Sequence, residues 1–450
     1  MNRLLQPVLA GVLTALVGFA STFAVVLAAL RAVGADERQA ASGLLALCLA
    51  MGLVAIWLGV RHRMPISIAW STPGAALLIS TGSVPGGFAA AVGAFALCGL
   101  LVIAAGLIPV LGRAVAAIPV PVASAMLAGV LFDLCVAPVR ALVEVPLMAA
   151  PIVVTWAVLS RYARQWAVPA ALAVAVVAIV WTAPPGGLAG ADLRPTIAFT
   201  APTWTWAATV SLALPLFLVT MASQNVPGMA VLAGFGYRPP LRTVLVGTGL
   251  ASTLAAPLGG HAVNLAAITA ALAAGPDADP DPRRRWIASV TAGGSQLVLG
   301  LGSGLATAVV LLSPPVLVEA VAGLALLGAL GAAIAAAVAE PEGRPAAVVT
   351  FLVTASGITV LGLGAAFWGL LAGGLFVLLH RRPAKPPARD PADQPADPSA
   401  TDPADQPADP RAKDPADPPA ANPVGPSADP SPGGGDGTAT ALPRQGVRES

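Results

Sequence analysis

From residue 7 to residue 380 the chain alternates long apolar runs with short polar breaks rich in Pro, Gly and Arg, and beyond Pro383 the hydrophobic pattern disappears. The apolar runs fall near 7–30, 41–60, 66–80, 87–111, 119–138, 146–160 and 167–183 in the first half. In the second half they fall near 207–234, 242–258, 261–274, 286–312, 316–339, 345–360 and 363–380. A helix crossing hydrocarbon needs ~17–25 such residues, so the pattern predicts an all-α polytopic membrane protein with fourteen segments. Runs 66–80 and 261–274 are too short to span alone as helix, and each carries breakers: STPG at 71–74, PLGG just ahead of the second. Both read as half-helices preceded by short extended strands. The first run continues through Leu30, too long for a signal-peptide core, and is read as a span.

The two halves echo each other. IPVPVASAMLAGVLF (118–132) resembles SPPVLVEAVAGLALL (313–327) with one Pro-to-Gly spacing, and VGFASTFAVVLAAL (17–30) loosely matches MASQNVPGMAVLAG (221–234). The broken runs are each third in their half. Seven segments per half, an odd number, place the halves in opposite orientations, the inverted-repeat layout of secondary transporters. Matching interruptions in the two halves are the sequence pointer to a binding site near the midplane.

Composition agrees with this reading and charge orients it. The chain is 56% hydrophobic and 10% charged, with mean hydropathy +0.81, far from the balance of a soluble domain. With the N-terminus inside, cytoplasmic loops hold Arg61, Arg63, Arg113, Arg161, Arg164, Arg238, Arg242, Arg283, Arg284, Arg285, Arg344, Arg381 and Arg382. The opposite face holds Arg31, Arg38, Arg140 and Arg194. The positive-inside rule then puts both termini in the cytoplasm. Cys48, Cys98 and Cys135 sit inside apolar runs without disulfide or metal spacing. The chain has no phosphate-binding loop, His-rich cluster or paired carboxylates within one span, so an ATP-driven pump and an intramembrane enzyme are disfavoured, and no cofactor is expected. The PADQPADP-type sequence beyond Pro383 cannot bury a core and is expected to be a disordered cytoplasmic tail.

Three stretches carry candidate chemistry. In AWSTPGAALLIS, Thr72 can cap a helix that starts at Pro73, leaving the N–H groups of Gly74 and Ala75 beside Ser71 as a small anion site at a positive helix end. A kinked structural helix is the alternative. In APLGGHAVNLAAITAAL, Gly260, His261, Ala262 and Asn264 are expected to open the second half-helix, so that two helix starts face one cavity. Gln224 and Asn225 are adjacent amides deep in a span, costly unless bonded, and suit either a carboxylate or helix-to-helix bonding. Ser21, Thr22 and Phe23 occupy the matching place in the first span. For a proton, the near-neutral reference pKa of histidine makes His261 a candidate, with a plain helix-capping role as the alternative. Asp133 and Glu319, the intramembrane carboxylates of the paired fifth and twelfth segments, are the rival candidates, with snorkelling to an interface as their alternative.

AWSTPGAALL, ALPLFLVTMASQNVPGMA, AAITAAL, MLAGVL, VAGLALLGAL and VVTFLVTASGITVLGLGAAFWGLLAGG together resemble the benzoate/proton symporter (BenE-type) family, from about Leu9 to Leu379. That family is similar in fold to uracil/xanthine permeases and sulfate transporters. The resemblance implies a core domain in parts 1–112 and 201–312 (segments 1–4 and 8–11). It implies a gate domain in parts 113–200 and 313–382 (segments 5–7 and 12–14). Proton-coupled uptake of benzoate or a similar aromatic carboxylate follows, with Ser71, Thr72, Pro73, Gly74, Gln224 and Asn225 at the site. Where the permeases carry acidic residues on the eighth and tenth segments, this chain carries amides, which suits an anion. Transport of another small anion or a nucleobase, or a channel, are the alternatives. The expected partners are the substrate, protons and the lipid of a bacterial inner membrane, with a second copy in a homodimer as a further candidate; no nucleic acid is expected.

Overall fold

The computed structural model describes residues 4–108, 110, 118–182, 194–266, 269–361 and 363–380. The expected tail from Pro383 lies outside those residues. The first half runs α1 (Leu5–Ala32), α2 (Glu37–His62), β1 (Ile68–Trp70), α3 (Thr72–Thr81), α4 (Gly87–Leu107), α5 (Val120–Glu144), α6 (Pro146–Tyr162) and α7 (Ala167–Thr182). The second half runs α8 (Trp206–Gly234), α9 (Leu241–Ala255), β2 (Val263–Leu265), α10 (Ala270–Ala274), α11 (Trp286–Leu301), α12 (Ser303–Leu311), α13 (Pro315–Val338), α14 (Arg344–Ala355) and α15 (Ala365–His380). Among the described residues, seven helices are long and apolar enough to cross a membrane. The bent α11–α12 pair, broken by 58°, adds an eighth. Several remaining apolar runs fold as shorter helices.

Local chemistry sets the ends. Helix α2 opens with a reciprocal box in which Asp36 Oδ1 accepts the Gln39 N–H at 2.8 Å and Gln39 Oε1 accepts the Asp36 N–H at 2.9 Å. Helices α5 and α13 both begin after a proline, Pro119 and Pro314, whose near-identical extended backbone starts each helix in the same way.

Small residues then bring the helices close, as is usual where lipid gives no hydrophobic drive for association. A Cβ on Gly52 of α2 would sit 2.7 Å from the Gly293 carbonyl of α11, and one on Gly99 of α4 2.8 Å from the Gly249 carbonyl of α9. A Cβ on Gly323 of α13 would collide with the Leu134 carbonyl of α5. Of the two glycines at the repeated Pro-to-Gly spacing, Gly323 sits where α5 and α13 cross, while Gly129 packs against Thr354 of α14. One packing group contains α1–α4, α8, α9 and α11; a second contains α5 with α13, α14 and α15, and α6 against α7.

The two broken segments meet through backbone. Strands β1 and β2 pair antiparallel with Ile68 opposite Leu265, Ala69 opposite Asn264 and Trp70 opposite Val263. The ladder is extended by Ser71 N–H to the Ala262 carbonyl and Ala266 N–H to the Ser67 carbonyl, both 2.9 Å. Buried extended chain is tolerated here because each half supplies the other's missing partners.

Candidate functional site

A cavity of about 1360 Å³ opens between the two packing groups. Its wall takes Gly18, Ser21 and Thr22 from α1, Ser67 to Trp70 from the β1 stretch, and Thr72 and Pro73 from the start of α3. Gln224 of α8, Ala266, Thr269 and Gln296 of α11 continue it. The second packing group contributes Ser124, Trp156, Ser160, Arg164 and a stripe of small residues on α13 from Ala325 to Ala336.

The α3 start differs from expectation by one residue. Ser71, with extended φ −77° and ψ 90°, is the cap, and Thr72 and Pro73 are the first helical residues. The strand ladder holds Ser71 extended through its N–H, which is why the helix cannot begin earlier. Its hydroxyl accepts the Gly74 N–H at 3.1 Å and the Thr220 hydroxyl of α8 at 2.9 Å. The Ala75 N–H reaches the Ser71 carbonyl at 2.8 Å. The N–H groups of Gly74 and Ala75, expected to be free, are therefore satisfied within the protein. Gly74 is required by packing, since a Cβ there would lie 2.5 Å from Leu216 of α8. What faces the cavity is the first turn itself, Thr72 and Pro73, with the positive end of α3 behind it.

Helix α8 is interrupted by two π-turns, Thr209–Ala213 and Met221–Asn225. Such turns insert an extra residue and recur at functional sites. The second carries both amides and splits their roles. Gln224 lines the cavity. Asn225, fully buried, accepts the Leu265 N–H at 3.0 Å on the free edge of β2, and its Nδ2 lies 3.3 Å from the Met221 sulfur. Asn225 is thus a fastener for the strand and does not line the cavity.

The second broken segment also corrects its expectation. No helix starts at His261: His261 and Ala262 are extended, 263–265 is strand, and the described helix comprises only Ala270–Ala274. Pairing with β1 satisfies this backbone, so a helix start has no role there. Gly260 follows the left-handed Gly259 and donates its N–H to Ala255 at 3.0 Å. The His261 ring is wholly buried edge-on to Phe95, its Nδ1 accepts the Ala262 N–H at 2.6 Å, and its Nε2 has no partner among the described residues. Asn264 Nδ2 donates to the Leu265 carbonyl at 2.7 Å. None of Gly260, His261, Ala262 and Asn264 lines the cavity.

Of the carboxylates, Asp133 is exposed and salt-bridged to Arg140 on the same helix. Glu319 is partly buried on α13, and Asp133, Arg140 and Glu144 are its charged neighbours. Neither lines the cavity.

Sequence reasoning missed Ser67, Trp70, Thr269, Gln296 and Arg164. Gln296 carries the signal that singled out Gln224, an amide inside an apolar run. Trp70 donates its indole N–H to Thr22 at 2.9 Å and packs against Phe19, with ring centroids 5.9 Å apart. Trp70 is thereby held in the cavity wall, almost wholly buried.

A helical membrane body of two inverted repeats, with interrupted segments crossing beside an internal cavity, is the arrangement of a solute transporter. Residues 3–379 match the family described as BenE, Benzoate membrane transport protein, and the chain belongs to that family. It is 38% identical over 376 residues to Inner membrane protein YdcO of Escherichia coli (strain K12), covering 83% of this chain and 95% of that protein. It is 32% identical over 381 residues to the Benzoate membrane transport protein of Acinetobacter baylyi (strain ATCC 33305 / BD413 / ADP1), covering 83% and 95% respectively. Two solved structures share the fold. The transmembrane domain of a cyanobacterium bicarbonate transporter, BicA, has TM-score 0.52 and 16% identity over 83% of this chain and 98% of that one. The murine Solute Carrier 26 family member A9 anion transporter, in the inward-facing state, has TM-score 0.58 and 14% identity over 84% of this chain and 68% of that one. The protein is a multi-pass membrane transporter and not an enzyme.

Proposed function

We propose that the protein carries benzoate or a similar aromatic carboxylate into the cell together with a proton. The observation that carries this reading is the composition of the cavity wall. A positive helix end and an amide lie beside an oriented indole, and the remaining wall is largely Ala, Leu, Val and Gly. A carboxylate at Thr72 gains from the α3 dipole and from the Gln224 amide. The ring lies against Trp70 and the apolar residues of α13. The described relative named for benzoate transport supports the same substrate class.

Arg164 and Ser160 stand on the cavity rim at the arginine-rich ends of α6 and α7. With that face cytoplasmic, the cavity opens inward, both termini are inside, and the α1–α4 and α8–α12 core moves against the α5–α7 and α13–α15 gate. The proton falls to Glu319, partly buried in the gate beside Asp133 and Arg140, because His261 is sealed behind Phe95 away from the cavity.

Uptake of labelled benzoate into proteoliposomes under an imposed pH gradient tests the reading. Saturable accumulation that collapses with a protonophore is expected. No accumulation overturns the substrate and its coupling, and flux that never saturates indicates a channel.

A further inference from the structure

We infer that Arg164 is the charge-selecting residue of the cavity, favouring the ionised carboxylate of an entering aromatic acid over an uncharged analogue of the same shape. The inference rests on the aromatic-carboxylate reading above and adds a specificity-determining residue to it.

Arg164 is the one charged side chain among the described residues that line the cavity. It follows α6 in the short turn Arg164–Trp166, and it is exposed. Its guanidinium reaches across to α13. A Cβ on Gly328, itself part of the cavity wall, would lie 4.0 Å from Arg164 Nη2. Gly328 stands ten residues before the end of α13 at Val338, about 15 Å along the axis at ~1.5 Å per residue. The positive charge is thus held over the α13 wall, inside the rim where the Arg164 backbone stands.

Four other arginines at helix ends are engaged elsewhere. Arg63 lies over the Trp286 ring at 4.5 Å and Arg161 over the Tyr162 ring at 5.7 Å. Arg285 donates to the carbonyls of Asp279 and Ala274 at 2.7 and 2.9 Å, and Arg344 donates to that of Val338 at 2.8 Å. Arg164 has no hydrogen-bond or ion-pair partner among the described residues. Its charge is free to act on what enters the cavity.

A cation among apolar walls acts without touching its target. Most of the cavity wall is Ala, Leu, Val and Gly. Walls of low dielectric focus the field of a charge along a cleft and raise the local concentration of ions of opposite sign. A carboxylate entering such a cavity gives up part of its hydration, and a guanidinium offers it a planar fork of donors in exchange. A carboxylic acid with a pKa near 4 is almost wholly ionised at neutral pH, so the anion is the form that Arg164 meets. An amide in place of the carboxylate keeps the shape and gains nothing from the charge.

The test titrates benzoate and its neutral analogue benzamide into the purified full chain at low and at high salt. The wild type is compared with Arg164→Gln and Arg164→Lys. At low salt Arg164→Gln should weaken benzoate binding about tenfold and leave benzamide unaffected, because only the anion feels the field. Salt should weaken benzoate binding to the wild type and act much less on Arg164→Gln. Arg164→Lys should keep most of the preference for the anion. Gly328→Asp sets a carboxylate beside the guanidinium, and Gly328→Asn adds the same bulk without charge. The aspartate protein should bind benzoate more weakly than the asparagine one, a comparison that leaves Arg164 in place if its own variants do not fold. Benzoate binding that is equal in wild type and Arg164→Gln, with the same response to salt, overturns the inference alone. So does an equal loss of benzoate and benzamide, which would mark a structural role. A wild type that binds no benzoate overturns the aromatic-carboxylate reading as well.

Discussion

The third and tenth segments are topological equivalents, yet one faces the cavity and the other braces it. The third has a ten-residue helix with a serine cap and gives Thr72 and Pro73 to the cavity wall. The tenth has five described helical residues and buries His261, Ala262 and Asn264 in an extended arm clasped by Asn225. A repeated fold therefore does not imply a repeated site. Once two inverted halves meet at a shared ladder, one can face the cavity while the other carries rigidity, and of the adjacent amides of α8 Gln224 lines the cavity while Asn225 holds the strand.

The brace should be the more sensitive of the two regions. A Cβ on Gly43 of α2 would lie 2.7 Å from the Gly259 carbonyl, on the turn that launches β2. Gly43→Val should therefore show the largest effect. Overpacking against backbone costs ~1–3 kcal/mol or more, and the monodisperse peak on size-exclusion chromatography should be lost.

Asn225→Ala comes next. It leaves the buried Leu265 N–H without its acceptor, for ~1–3 kcal/mol, and should lower the thermal midpoint of the purified protein. Any protein that remains folded should bind benzoate as the wild type does. A large loss of affinity with unchanged stability would move Asn225 back to the substrate.

Gln224→Ala should do the reverse, weakening benzoate binding about tenfold, or ~1.4 kcal/mol, for one charge-assisted hydrogen bond. Equal binding by isothermal titration would reduce Gln224 to helix bonding. Smaller still is His261→Gln, which should preserve pH-gradient-driven accumulation; its loss would return the proton to the tenth segment. Removing residues beyond Pro383 should have the least effect, with uptake per transporter unchanged.

The sequence carried the outline well because membrane solvent leaves few choices. Breakers inside short apolar runs marked both interrupted segments, and Gln224 stood out as a polar group in an expensive place. The misread details have physical causes. Thr72 looked like the cap because proline is favoured at a first helical position, but the ladder bond to Ala262 holds Ser71 extended and makes it the cap. His261 looked like a helix start because glycines precede it. Nothing local announces that 263–265 will pair with a strand nearly two hundred residues earlier. Trp70 was hidden among apolar neighbours, since side-chain direction in a strand depends on a register the sequence does not state. Gln296 was legible by the rule that found Gln224.

That register also limits how the chain can change in length. In a strand, successive side chains alternate between faces. One residue inserted or deleted between His62 and Ile68 would turn Trp70 away from the cavity and displace Ser67 and the cap of α3 with it. The same change just before Val263 would pull Leu265 from Asn225. Substitutions in these two stretches can be absorbed one contact at a time, whereas a single insertion or deletion alters every contact together. Among functional members of the lineage, these two short arms should therefore vary in residue identity before they vary in length.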